Sequence, residues 1–129
     1  MSLGKHYLAE FFDCDRLKIN DITFIERVLI EATGLCGAQM IMPFFHQFSP
    51  QGISGVIVIA ESHFAIHTWP EHGYAAVDLF SCSDVNYKAA LNHIRKQVGA
   101  SHFSVALVHR GLLTNQNVPQ PSLWEEIDI

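Results

Sequence analysis

The residues predict an α+β fold: an antiparallel sheet with two helices packed on one face. Three observations carry that prediction. Apolar residues recur at helical spacing in two stretches, near 22–32 and 84–98. The other apolar runs are short and rich in β-branched and aromatic residues. The element order is strand, helix, several strands, helix, strand, not the strict alternation of a parallel sheet.

Each element has a local reason. HYLAEFF, residues 6–12, reads as a first strand. Asn20 or Asp21 can cap a helix from Ile22 to Ala32, in which Ile22, Ile25, Val28, Leu29 and Ala32 form one apolar stripe. Gly34 and Gly37 bracket its end. Residues 39–48, QMIMPFFHQF, form a strand that Pro43 pushes toward a sheet edge. SPQG is a turn, and 53–60, ISGVIVIA, is a buried strand. A hairpin follows over 62–82. Asp84 is expected to cap the second helix, which runs to Val98 with Ala89, Ala90, Ile94 and Val98 inside. HFSVALVH, 102–109, is the last strand, and the tail from Thr114, with Pro119 and Pro121, is expected to be irregular. Two helices cover one face of a sheet only. Strand 53–60 is apolar on both faces, so a second copy is expected against the other face.

The chain has 129 residues, enough for one domain, 1–129, with its own core. Its net charge is −5 and its basic residues are scattered, which excludes the clustered patch of a nucleic-acid binder. No run approaches the roughly 18 apolar residues of a membrane helix. The N-terminus lacks the apolar centre of a secretory signal, so a cytoplasmic protein is expected. Three cysteines, Cys14, Cys36 and Cys82, show no CxxC spacing, so reduced thiols are expected.

The chemistry-bearing residues concentrate in ESHFAIHTWPEHGYAAVDLFSC, residues 61–82. With PEHG as the turn, Trp69 faces Tyr74, His67 faces Ala76 and Glu61 faces Cys82. A one-residue shift would put Ser62 opposite Cys82 instead. In either register Cys82 lies beside the Glu61–Ser62 peptide. Ser62 and His67 differ by an odd number, so a regular strand points them to opposite faces. A plain core hairpin accounts for any one of these residues alone. A zinc site using His63, His67 and His72 fails on distance. Positions i and i+4 of a strand lie roughly 13 Å apart, against zinc–nitrogen bonds of about 2 Å. A Cys–His hydrolase would use Cys82 as nucleophile, His67 as base and Asp78 as orienter, but no nucleophile elbow accompanies them.

The string FHQFSPQGISGVIVIAESHFAIHTWPEHGYAAVDLFSC closely resembles the prokaryotic, pyruvoyl-dependent S-adenosylmethionine decarboxylases. The likeness runs from LGKHYLAEFFDCD to the last strand, and its core is ESHxxIHTWPExGYAAVDxFxC. It implies a proenzyme that cuts itself between Glu61 and Ser62. Ser62 Oγ would attack the Glu61 carbonyl, and the resulting ester would eliminate to leave a dehydroalanine. Its hydrolysis would release ammonia and leave a pyruvoyl cofactor on a chain of residues 62–129, separate from a chain of residues 1–61. His67 would serve this processing, and Ser54 would stabilise its intermediate. A pyruvoyl carbonyl condenses with a substrate amine and draws electrons as pyridoxal phosphate does elsewhere. Cys82 matches the family's proton donor. Thiols ordinarily titrate near pH 8.5 and are therefore protonated at neutrality, which suits that task.

The same likeness implies substrate contacts from Phe48 on the adenine, Glu71 on the ribose hydroxyls, and Trp69 and Phe64 in the pocket. No metal is expected, since the histidine spacing fails for zinc. The likeness implies two processed protomers pairing sheet to sheet as an αββα sandwich, and a product that donates aminopropyl groups to spermidine. His72, Phe64 and Ser83 depart from the tyrosine, leucine and glycine usual in the family. Those departures lie near the pocket and leave arginine or ornithine as alternative substrates for the same chemistry. A reading of another class is an uncut, non-catalytic homologue that regulates an active partner. The intact set of Ser62, His67 and Cys82 argues against it.

Overall fold

A computed structural model of the chain describes residues 2–129. The elements are β1 (Ser2–Phe12), α1 (Ile22–Leu35), β2 (Met40–Gln47), β3 (Ile53–Ile59), β4 (Ser62–Trp69), β5 (Tyr74–Ser81), α2 (Tyr87–Val98), β6 (His102–Leu113), β7 (Pro119–Gln120) and β8 (Leu123–Ile127). They form one antiparallel sheet in the order β2-β3-β4-β5-β1-β6-β7, with β8 also on β6. The α+β prediction is met.

Both helices pack on the same sheet face. Alternation puts Tyr7, Ala9 and Phe11 of β1 there, with Ile57 of β3, Ile66 of β4 and Val77 of β5, all buried against α1 and α2. Burial of each such large side chain contributes about 1.5–3 kcal/mol. Asp21 caps α1, its side chain accepting from the Phe24 N–H at 3.2 Å. Gly55 is needed where it stands: an added Cβ would meet the Phe45 ring on the paired strand at 2.1 Å.

Two expectations are corrected. Asn86, not Asp84, caps α2, accepting from the Ala89 N–H at 3.2 Å. Asp84 lies in the loop before it, fully exposed and 3.9 Å from Lys5. The tail is not irregular, because β8 pairs with β6 from Val105↔Ile127 to His109↔Leu123. β6 would otherwise present an open edge of backbone donors and acceptors. The prolines that read as breakers sit in and beside the two-residue β7, an edge position that tolerates them.

The face away from the helices carries Leu8, Val56, Ala65 and Asp78 in one cross-strand row. Phe44 and Val58 stand exposed on it. No helix among the described residues is long and apolar enough to cross a membrane.

Candidate active site

The site residues fall at two ends of the β3–β4–β5 strands. At the first end, β3 turns into β4 through a two-residue loop, Ala60–Glu61, with Ile59 paired to Ser62. Glu61 has φ 68°, a left-handed backbone that turns usually give to Gly or Asn. A non-glycine residue held there costs about 1–3 kcal/mol. The Ser62 Oγ that follows is buried and has no hydrogen-bond partner. Across the hairpin Ser62 pairs with Ser81, so Cys82 is the next residue beyond the pair. The turn shifts nothing: Trp69 faces Tyr74 and His67 faces Ala76, and the alternative with Ser62 opposite Cys82 is not formed. The Cys82 thiol is exposed. With Lys5, Ser81, Ser83 and Asp84 it lines a cavity of about 240 Å³.

At the second end, Ser54 and His67 are cross-strand partners, and Ser54 Oγ lies 2.8 Å from His67 Nδ1. They share a cavity of about 250 Å³ with Phe48, Trp69 and Glu71. A second hollow of about 330 Å³ continues from Phe48 and His67 along Phe44, Val56 and Ala65. Its walls are aromatic and aliphatic, which suits a flat heterocycle or a sulfonium. Thr68 anchors this end beneath the site. Its buried Oγ1 accepts from the Ile53 N–H at 3.0 Å and donates to the Ile19 carbonyl at 2.8 Å. Gly73, at φ 60°, then closes the Pro70–His72 turn that presents Glu71.

One chain does not bring the two ends together. Ser62 and His67 are five residues apart on a strand without a bulge, about 16 Å at roughly 3.3 Å per residue, and point to opposite faces. The Cys–His hydrolase arrangement is not formed either: His67 pairs with Ala76, six positions before Cys82, and Asp78 pairs with Ala65. Phe64 is corrected as a substrate contact. It is wholly buried on the helix-facing side, because its even position shares the face of Ile66.

Sequence reasoning missed Ser81, Lys5 and the Tyr74–Glu10 pair. The Ser-Cys-Ser string was the available signal for Ser81. On the open face the Tyr74 hydroxyl donates to the Glu10 carboxylate. Burial, and then the nearby Asp78 charge, push the Glu10 carboxyl above its ordinary range.

Two helices on an eight-stranded antiparallel sheet is the layout of a known class of decarboxylase. The solved adenosylmethionine decarboxylase of Aquifex aeolicus matches it with a TM-score of 0.79 at 34% identity, over 88% of this chain and 95% of that one. A Trypanosoma brucei AdoMetDC monomer, at 18% identity and a TM-score of 0.64, shares the fold, and this chain spans 45% of its length. Among curated relatives, the S-adenosylmethionine decarboxylase proenzyme of Clostridium tetani is 47% identical over 86% of this chain and 89% of its own. That of Thermotoga maritima is 43% identical over 94% of each chain. The S-adenosylmethionine decarboxylase family profile matches residues 5–111, and this chain belongs to that family.

Proposed function

We propose that the chain is a proenzyme that cuts itself between Glu61 and Ser62 and then decarboxylates S-adenosylmethionine, supplying an aminopropyl donor for spermidine synthesis. One observation carries the reading: a buried hydroxyl with no partner follows directly on a left-handed, non-glycine residue. Leaving such a group unsatisfied costs about 1–3 kcal/mol, and strain of this kind gathers at functional positions. A serine kept there solely for packing would be replaced by alanine at no loss. Ser62 Oγ, unbonded, is free to attack the Glu61 carbonyl on its N-terminal side.

A pyruvoyl group at residue 62 would supply the electron sink for decarboxylation. The residues present fit it: Ser62 is its precursor, and the Cys82 thiol, one residue past Ser62's cross-strand partner, is exposed. In this reading Cys82 delivers a proton to the substrate carbon that loses carbon dioxide. Phe48, Trp69 and Glu71 bind the nucleoside, the rings by stacking and the carboxylate by accepting from ribose hydroxyls.

The active unit is a homodimer paired through the open sheet face as an αββα sandwich. The support is the separation of the two ends. A two-fold axis through that face brings the His67 and Ser54 end of one copy to the hairpin end that carries the Glu61–Ser62 peptide and Cys82 in the other. His67 then acts on the partner's cleavage site, where it exchanges protons with the attacking hydroxyl and the departing amine.

Cleavage and substrate are tested separately. A denaturing gel with intact mass on purified protein is expected to show two chains, split after Glu61; one uncut 14.5-kDa chain would refute self-processing. Carbon dioxide release from S-adenosylmethionine, arginine and ornithine in parallel is expected from the first alone. Turnover of either amino acid without S-adenosylmethionine would overturn the substrate.

A further inference from the structure

We infer that Ser81 is a positioning residue for Cys82. The inference rests on the proton-donor role proposed for Cys82 and goes beyond it. Ser81 ends β5, where pairing to Lys5 on one side and Ser62 on the other stops together. The next residue therefore loses the sheet's hold on its backbone. Ser81 is 2% exposed, yet its hydroxyl has a full set of local partners. It accepts from the Ser83 N–H at 3.1 Å and donates to the Ser83 carbonyl at 2.9 Å. Both bonds reach across one residue, and that residue is Cys82. The hydroxyl thus closes a small ring around the cysteine, a serine turn that replaces the missing ladder bonds.

The ring has two consequences. It fixes the backbone that carries an exposed thiol while the side chain stays free in the cavity beside Lys5. It also ties the thiol's position to residue 62, because the anchoring serine is the cross-strand partner of Ser62. A proton donor must lie within hydrogen-bond reach of the carbon's path, and a shift of about 1 Å costs about 100-fold. The Ser81 hydroxyl is spent on Ser83, which accords with the unpartnered Oγ of Ser62 facing it.

The test separates the hydroxyl from the fold. Ser81→Ala is expected to be cut into two chains as the parent is, with kcat lower by about 10-fold and KM changed by less than about two-fold. Ser81→Thr keeps the hydroxyl and is expected to restore kcat. A second readout needs neither cutting nor turnover. In the Ser62→Ala background, iodoacetamide labelling of Cys82, followed by peptide mass, is expected to change rate by about 3-fold with Ser81→Ala and to stay constant with Ser81→Thr. Unchanged kcat in Ser81→Ala, equal losses in Ala and Thr, or identical labelling rates would each overturn the inference. If the parent chain is never cut, the proposed function fails, and the labelling arm still decides whether Ser81 sets the position of Cys82.

Discussion

The two ends of the β3–β4–β5 strands are built differently. The Ser62 end is strained and unsatisfied: a left-handed Glu61, an orphan hydroxyl and an exposed thiol. The Ser54–His67 end is satisfied and shaped, with a 2.8 Å side-chain bond, aromatic walls and a threonine anchor beneath it. One end holds the groups that change covalently in the proposed reaction. The other holds the groups to which the proposal gives proton transfer and binding. Strain that would spoil a binding surface is useful where a peptide has to break, and separating the two lets one short strand carry both.

The most decisive way to break this comparison is complementation. Ser62→Ala and His67→Ala, each expressed alone, are expected to stay uncut. Expressed together, their mixed dimer brings the hairpin end with one intact Ser62 to the end with one intact His67, and the His67→Ala chain should be cleaved. A mixture that stays uncut on a denaturing gel would remove the two-copy site. Next in size, Cys82→Ser should process normally and lose about 100-fold or more in kcat, the usual worth of a positioned acid. Normal turnover would strip Cys82 of its role. Phe64→Ala should cost about 3–5 kcal/mol of unfolding free energy as a core cavity while leaving KM unchanged in the surviving folded protein. A raised KM at unchanged stability would return Phe64 to the pocket.

Ser54→Ala should slow cutting by roughly 3- to 10-fold, the worth of one net hydrogen bond orienting His67, followed as the decay of uncut chain on a gel.

The smallest expected effect concerns the open face itself. Burial holds His6 below its ordinary 6.5, with Arg110 and His63 adding to the shift and Asp78 opposing it. The folded chain therefore resists a proton that the unfolded chain accepts. Stability from this group is present above pH 6.5 and is lost as pH falls below it. His6→Gln should flatten that part of a melting-temperature profile against pH, and an unaltered slope would assign the acid sensitivity elsewhere.

Much of the fold was legible in the chain. Helical spacing located α1 and α2, Asp21 was one of two offered caps, and PEHG located the hairpin turn, while the folded sheet chose the unshifted register. The string around residues 61–82 pointed to the family that the relatives then established. The misreadings came where a local signal competed with a distant one. Asp84 is an adequate cap by type, but the loop after Cys82 runs two residues further, and Asn86 takes the position. Prolines at 119 and 121 read as the end of order, yet the open edge of β6 recruited β7 and β8 around them. Phe64 fits an aromatic pocket by chemistry and fails by parity.

The reactive roles expected of Ser62, His67 and Cys82 came from the likeness to the family; residue type and short-range spacing set which strands carry them and that Cys82 lies beside the Glu61–Ser62 peptide. Those placements depend on side-chain alternation and turn length, which are properties of neighbours in the chain. Three features waited on the folded sheet. They are the left-handed Glu61, the unpartnered Ser62 hydroxyl, and the absence of a bulge that would bring His67 to its face. Each reflects how strands close over one another in space, and no window of sequence carries that closure.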